Sequence, residues 1–448
     1  MAERKMKDDG IKWIGEIPNE WIICKLKAVV DVNRGGSPRP IEKYLTDDVK
    51  GYNWIKIGDA TGKGRYISST KQKIRPDGLS KTRYVTPGTL LLTNSMSFGH
   101  PYILQIDGCI HDGWLSFSNY KNITQDFLYY YLESKSTMIQ FTTSVDGSVV
   151  QNLNIIKVKN ALICYPCIDM QNKIVKYLDH KCSSIDSCIS NIQKQIENLE
   201  EYRKSIITQA VTKGLDPNVE MKDSGVEWIG EIPKRWHAGK MRNIADLSHP
   251  YPIGDGDHGL IKSTDYQTSG IPYIRVSNLT WGYGLDLGDI VYISEDMNNK
   301  IKNSELHPND ILVAKTGATV GKTAMIPSNM PVANTTAHVG KITVSASHNP
   351  RFYYYVLQSD PVQHQIMHKA SFQATRPELG NDGLINLIIP IATKEEERPI
   401  VEFLDQKCSS INSSIEKQRS LIDKLMEYKQ SLIYNAVTGK IDVTEKTR

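Results

Sequence analysis

Residues 178–216, LDHKCSSIDSCISNIQKQIENLEEYRKSIITQAVTKGLD, return at 404–442 as LDQKCSSINSSIEKQRSLIDKLMEYKQSLIYNAVTGKID, ungapped and with nineteen of thirty-nine positions identical. In the first copy Leu178, Cys182, Ile185, Ile189, Ile192, Ile196, Leu199, Ile206 and Ala210 follow at spacings of four and three, interrupted only where Arg203 takes a place in the row. The second copy sets Leu404, Cys408, Ile411, Ile415, Gln418, Ile422, Leu425, Lys429, Leu432 and Ala436 on the same register. A 3.5-residue period held over four heptads predicts a coiled-coil seam, where a helix packed on its own domain would carry a wider apolar stripe. Two such helices on one chain are most simply satisfied by each other, as an antiparallel pair. At 1.5 Å per residue, a helix of about 36 residues is roughly 55 Å long, which makes it a spacer. Polar Arg203, Gln418 and Lys429 cost stability in such a seam but can fix its register.

Working outward, a second motif repeats. KDDGIKWIGEIPNEW at 7–21 returns as KDSGVEWIGEIPKRW at 222–236, with ten of fifteen positions identical. Between motif and helix lie 156 residues in the first half (22–177) and 167 in the second (237–403). The chain is therefore two tandem copies of one unit: short motif, variable domain, long helix. The boundaries expected are 1–21 for the first motif, 22–167 for the first variable domain and 168–216 for its helix. The second set is 217–236, 237–392 and 393–448.

The variable domains read as mixed α/β. Apolar runs broken by turn residues, NWIKIG (53–58), GTLLLTN (88–94) and KNALICYP (159–166), then IPYIRVSNL (271–279), NDILVAKTG (309–317) and LINLIIPI (384–391), predict strands. Each domain adds one aromatic helical stretch, QDFLYYYLES (125–134) and PRFYYYVLQS (350–359), and these align. Shared aromatic helices with divergent loops predict one fold used twice. The fold class expected is α+β: two mixed domains, two long antiparallel helices and an internal pseudo-twofold repeat.

Composition sets the outer limits. The 448 residues are 40% hydrophobic and 23% charged, which suits globular domains. The longest apolar run, near Leu384 to Ala392, contains Asn386 and Pro390 and is too short to span a bilayer. The polar start MAERKMKDDG shows no secretory signal, and seven Cys make no disulfide framework, so a cytoplasmic protein without membrane contact is expected.

Catalytic motifs are weak. TGATVGKT (316–323) has three residues between Gly317 and the Gly321-Lys322 pair where a phosphate cradle needs four, so strand–turn–strand is the better reading. NPRF (349–352) resembles a base-holding methyltransferase motif but lacks the second Pro, and reads as a helix start. Asp255, Asp257 and His258 in GDGDHG sit in a Gly-rich turn without a second ligand cluster nearby. Cys164 and Cys167 form a lone CxxC and are expected as buried structural thiols. The chain reads as non-catalytic, with no metal and no cofactor of its own.

Charge is informative locally. Net charge is only +4, yet residues 50–86 carry Lys50, Lys56, Lys63, Arg65, Lys71, Lys73, Arg75, Lys81 and Arg83 against Asp59 and Asp77, a local net of +7. Tyr52, Trp54, Tyr66 and Tyr84 interleave with them. Such a stretch fits phosphate contacts with base-edge readout, and equally a solvated Lys-rich surface. Residues 237–390 hold twelve basic and thirteen acidic residues with eight His, so that domain brings little net attraction for DNA.

The paired WIGEIP motifs (13–18 and 228–233), each ended by a Trp, together with helices closing in AVTKG and AVTG, resemble the specificity subunits of type I restriction–modification enzymes. GGSPRP (35–40) and GDGDHG (254–259) lie early in the two domains in the matching order. The resemblance implies two target-recognition domains, each reading half of a split, asymmetric sequence in double-stranded DNA. It implies docking of two methyltransferase subunits, joined by motor–nuclease subunits, with S-adenosylmethionine and ATP on those partners. Lys56, Lys63, Arg65, Lys71, Lys73, Arg75 and Arg83 are the expected backbone contacts of the first domain. Arg34, Ser37, Asn94 and Ser95, then His258, Asn278, Lys315 and Arg376, are the expected base readers, and Arg275 and Lys322 further DNA contacts. Two rival readings are a coiled-coil adaptor that binds no DNA, and a nucleotide-hydrolysing enzyme using the 316–323 loop.

Overall fold

The computed structural model describes residues 5–443 apart from 9, 12, 61–63, 96–97, 144–152, 257, 283 and 371–376. It divides into two compact units, Met1–Asn191 with Ser420–Arg448, and Ile192–Arg419. This division does not follow the sequence repeat. Each unit takes one variable domain, the first part of the long helix that follows it, and the closing part of the other long helix.

In the first unit β1 (Ile22–Lys25) follows the motif and pairs antiparallel with β11 (Leu162–Tyr165), the last strand before the long helix, so the domain is closed at its base. Between them run β2 (Asp31–Arg34), β3 (Tyr52–Ile55), β4 (Tyr66–Ile67), β5 (Gln72–Ile74), β6 (Arg83–Val85), β7 (Leu90–Thr93), β8 (Pro101–Leu104), β9 (Gly108–Ile110) and β10 (Trp114–Ser118). One sheet has the order β2-β10-β7-β8-β4; the other contains β5-β3-β9-β6, with β3 and β9 parallel. Two helices follow, α1 (Gln125–Glu133) and α2 (Lys135–Thr143), then a short helical segment at Ile155–Asn160, β11 and the long α3 (Ile168–Lys213).

The second unit repeats this plan. Strand β12 (His237–Lys240) pairs with β20 (Ile388–Ile391), as β1 pairs with β11. Strands β13 (Ile253–Asp255), β16 (Ile311–Ala314), β17 (Thr323–Met325) and β19 (Val339–Ile342) form a sheet of order β13-β19-β16-β17. It matches β2-β10-β7-β8. Strands β15 (Val291–Ile293), β14 (Ile271–Ile274) and β18 (Asn334–Thr335) match β5-β3-β9, the β14–β18 pair again being parallel. Helices α4 (Pro350–Gln358) and α5 (Asp360–Lys369) match α1 and α2, and α6 (Lys394–Val437) is the second long helix. The expected strand runs and both aromatic helices are present, and the two domains share one topology.

The aromatic helices start by the same device. Thr124 caps α1 by accepting from the Phe127 amide, and Asn349 caps α4 by accepting from the Arg351 amide with Pro350 in the first turn. NPRF is thus a helix start. A second acceptor comes from the first turn of each long helix: Gln171 Oε1 takes the Thr124 amide at 2.8 Å and Glu397 Oε2 takes the Asn349 amide at 2.6 Å. Gln171 and Glu397 occupy equivalent repeat positions with different chemistry, so their periodicity carries no sign of this role.

The long helices pair antiparallel within each unit. In the first, Leu178, Cys182 and Ile185 pack with Leu432, Ile433 and Ala436, and Ile189 and Leu425 flank them half-buried. In the second, Leu404, Cys408, Ile411 and Ile415 pack with Ile206, Ile207 and Ala210, flanked by Ile196 and Leu199. Ile192 and Ile422 are half-buried. The polar seam residues find equivalent partners: Lys429 Nζ meets Asp186 at 2.6 Å, and Arg203 Nη1 meets the Asn412 side chain at 2.7 Å. Gln418 reaches Gln195 at 3.1 Å. At its closing end each helix does widen its stripe, against the domain of the other repeat: Ile207 and Val211 join the second core, Ile433 and Val437 the first. Spacer and core helix are combined in one element.

The short motif packs on the end of the long helix of the other repeat. Trp21 and Trp236 are buried beside the closing glycines Gly439 and Gly214, both at positive φ. A Cβ on Gly439 would lie 2.6 Å from Pro18 Cδ, whereas one on Gly214 would sit 3.8 Å from Pro233 and Trp236. Gly439→Ala should therefore destabilise the first unit by roughly 2–4 kcal/mol, the αL penalty plus a clash, and Gly214→Ala by about 1–2 kcal/mol. Thermal unfolding of the two variants checks the order; equal shifts would show that the Pro18 contact relaxes freely.

One thiol departs from expectation. Cys164 is buried in β11, but Cys167 is exposed at the start of the helix, because the chain leaves the sheet at Pro166. No helix among the described residues is long and apolar enough to cross a membrane.

Candidate nucleic-acid interface

Where the chain leaves β2 it passes so close beneath the β9–β10 turn that Gly35 cannot carry a side chain: a Cβ would lie 2.1 Å from the His111 carbonyl oxygen. Gly256, after β13, faces the same restriction, 2.1 Å from the Thr336 carbonyl carbon. GGSPRP and GDGDHG are therefore the same loop of the same fold, fastened at one glycine and free to vary beyond it.

In the first domain Asp112 organises this loop. Its carboxylate accepts from Ser37 Oγ at 2.8 Å and pairs with Arg39 at 3.4 Å; its carbonyl accepts from Arg34 Nε at 2.9 Å and Asn94 Nδ2 at 3.1 Å. Burial pushes the Asp112 carboxyl up, but the Ser37 hydroxyl, His111 and Arg34 outweigh it and hold it below the usual carboxylate range. Arg83 Nε donates to the Arg34 carbonyl at 3.2 Å, and a Cβ on Gly36 would lie 2.7 Å from the Lys81 carbonyl oxygen. Lys56 is close enough to help depress His111, after burial itself. Arg34, Arg39 and Arg83, all exposed, thus form one cationic patch around a rigid loop, though they span fifty residues of sequence, while the Lys81 ammonium turns to the Tyr44 hydroxyl. Arg39 was missing from the expected contacts; its place in GGSPRP is the only signal that points to it.

Several expected contacts have other employment. Asn94 is buried and braces the Asp112 turn. Arg65 lies on α1 and α3, paired with Asp126 and, at 2.7 Å, with Asp179, its guanidinium 4.3 Å from the Tyr129 ring. Lys73 reaches the Val49 carbonyl at 2.9 Å and Arg75 pairs with Asp77 at 3.2 Å, while Lys71 is exposed. Ser37 is half-buried on Asp112, and Ser95 is half-buried. Lys63 lies outside the described residues.

In the second domain the equivalent loop has opposite chemistry. Where Arg34 stands in the first, Asp255 is buried, ion-paired with buried Lys315, which stands where Asn94 does. Lys315 also donates to Asn381 Oδ1 at 2.8 Å, and His258 Nε2 lies 3.1 Å from Asp255. Burial pushes Asp255 up; the hydrogen bonds from Lys315 and Asn381 outweigh it and lower it. With a cation as the third member, the described part of GDGDHG is an ion-pair network rather than a cation cage. His258 remains two-thirds exposed at the loop tip. Lys315 is a strut, and so is Asn278, buried with its side chain capping the Arg275 amide at 2.9 Å. Arg275 is clamped on Asp289 at 2.9 Å and over Tyr266. Lys322 is half-buried in a tight hairpin whose Gly321 amide donates to the Ala314 carbonyl at 2.9 Å. The 316–323 segment is strand–turn–strand and forms no phosphate cradle. Arg376 and Asp257 lie outside the described residues. Asn278 and Lys315 are internal because a loop without a core of its own must satisfy its buried polar groups through such side chains.

Two domains of one topology, each exposing a variable loop at the same fastened glycine, define a paired recognition protein. The chain belongs to the type I restriction–modification DNA specificity family, whose domain model matches residues 18–201 and 241–422. It is 23% identical over 439 residues to the type I restriction enzyme MjaVIII specificity subunit of Methanocaldococcus jannaschii, covering 95% of this chain and 94% of that one. It is 24% identical over 322 residues to the EcoBI specificity subunit of Escherichia coli, covering 70% and 65%. Its fold is similar, at TM-score 0.69 and 16% identity over 95% of this chain and 99% of the other, to a chain in a structure describing complex assembly and conformational transition of the type I R-M system. The chain is a specificity subunit acting in DNA sequence recognition.

Proposed function

We propose that each recognition domain reads one half of a split, asymmetric DNA sequence, and that the length of the paired helices sets the gap between the halves. Contact in the first domain is made by the loop after β2, with Arg34, Arg39, Arg83 and Lys56 meeting the backbone. In the second it is made by the loop carrying His258. The observation that carries this reading is the pair of equivalent loops, fastened at Gly35 and Gly256, with a cation exposed in one and an internal ion pair in the other. One scaffold presenting two chemistries is what two different half-sites require.

The chain binds no cofactor itself. It docks two methyltransferase subunits, which hold S-adenosylmethionine and supply phosphate contacts that the near-neutral second domain lacks, and motor–nuclease subunits using ATP join them. Support for two docking sites comes from the repeat itself: Trp21 buried on the Gly439 end and Trp236 buried on the Gly214 end build the same motif–helix junction twice. Mapping methylated positions in the DNA of a host carrying the intact system tests the reading. The expected result is two defined segments at a fixed gap, lost when this chain is deleted. A contiguous site, or methylation that persists without the chain, would overturn it.

A further inference from the structure

Asp179 and Asp405 stand at the same position of the two long helices, one residue after Leu178 and Leu404. Both are part-exposed, with side chains 48% and 37% accessible, so the seam does not require them. Each nonetheless receives the same pair of donors from its own recognition domain. Tyr130 Oη of α1 donates to Asp179 at 2.7 Å, and Tyr355 Oη of α4 donates to Asp405 at 2.6 Å. Each carboxylate also receives a guanidinium, but from a different source. In the first unit it is Arg65, just before β4, which binds Asp179 at 2.7 Å and Asp126 of α1 as well. In the second it is Arg351, on α4 itself at the place Asp126 occupies in α1, and it binds Asp405 at 2.6 Å.

The residue at this helical position has reversed its charge between the domains, and the cation has been supplied from elsewhere. The arrangement around the carboxylate has been kept. Leu178 and Leu404 already close the apolar contact beside it, so the carboxylate adds directed partners for a tyrosine hydroxyl and a guanidinium rather than further apolar burial. Apolar packing holds surfaces together without direction, whereas charge-assisted hydrogen bonds to one carboxylate fix an angle. Burial and the bond to the carboxylate both hold the Tyr130 and Tyr355 hydroxyls protonated, far above the usual tyrosine range for Tyr130 and likewise for Tyr355, so both remain donors.

We infer that Asp179 and Asp405 are positioning residues for recognition, each setting the angle at which its domain stands on the long helices without touching DNA. The inference rests on the reading that the two domains read half-sites across a gap that the helices set. Losing the angle leaves base contacts intact and loosens the tolerance for the gap.

The test uses the full chain assembled with its methyltransferase subunits, methylating a duplex library in which the parental half-sites are separated by gaps of every length around the parental one. Tyr130→Phe and Tyr355→Phe remove one hydroxyl each and keep the packing; Asp179→Asn and Asp405→Asn remove the charge. The expected result is that methylation at gaps one base pair longer or shorter rises about tenfold relative to the parental gap, with half-site sequences unchanged and the thermal midpoint lowered by no more than about 2–4 °C. An unchanged gap profile in all four variants, or a uniform loss of activity that follows a lowered midpoint, would overturn the inference and leave Asp179 and Asp405 as structural residues. Should the parental complex methylate no split site, the functional reading fails first, and the two failures are distinct.

Discussion

Replacing Arg34, Arg39 and Arg83 together by Ala should weaken binding of the assembled complex to cognate and unrelated duplexes alike. With each lost charge-assisted bond worth about 1.5 kcal/mol, the loss is on the order of a thousandfold at moderate salt. The slope of log affinity against log salt should fall by up to about 0.9 for each phosphate contact removed. The three guanidiniums belong together because Arg34 and Arg39 both hold Asp112 and Arg83 holds the Arg34 carbonyl, so one face of the loop loses its charge while Ser37 and Asn94 still brace it. Lys71, Lys73 and Arg75, which the sequence favours on charge density alone, form the comparison. Lys73 and Arg75 are partly occupied at Val49 and Asp77, so their triple replacement should reduce the slope less. Fluorescence anisotropy at several salt concentrations measures both. A larger slope change for the second triple would move the interface to the β5 edge of the domain.

A four-residue insertion in both long helices, after Asn191 and after Arg419, should lengthen the gap between half-sites while both half-site sequences survive. The insertion adds about 6 Å of helix, or one to two base pairs at roughly 3.4 Å each. Four residues make a stutter that coiled coils absorb by local unwinding. The site is chosen because the seam there is least committed: Ile192 and Ile422 are half-buried and Gln195 meets Gln418, whereas the Lys429–Asp186 and Arg203–Asn412 pairs on either side remain whole. Rotation accompanying extra base pairs makes one added pair the expected outcome. Methylation mapping on a library of randomised gaps reads it directly, and active complex with the parental gap would show that the helices do not measure the site.

The repeat and its seam were legible because they are one-dimensional. A 3.5-residue spacing is set by the helix alone, so Leu178 to Ala210 and Leu404 to Ala436 announce the long helices without any knowledge of what surrounds them. The aromatic helices, most strand positions and the harmless nature of the 316–323 loop were readable for the same reason. Of the proposed interface, the sequence shows Arg34 at the mouth of GGSPRP and a charge density over residues 50–86. That density counted Arg65 as a DNA contact and omitted Arg39, since it carries no direction: Arg65 turns to Asp126 and Asp179, and Arg39 enters the patch from a loop that precedes the stretch.

Sequence alone determined the two-copy architecture, the family and the absence of a phosphate cradle in TGATVGKT, all properties carried by local spacing and composition. Tertiary structure decided which residues each compact unit contains, because a helix seam can be satisfied by another part of the chain far away in sequence, and the closing turn of each long helix is taken by the motif of the other repeat. It also decided which polar side chains are available. Asn94, Asn278 and Lys315 look like any loop residue in the sequence, yet each lies where an unpaired backbone group or carboxylate would otherwise be buried, and the cost of leaving such a group unsatisfied is what holds them inside.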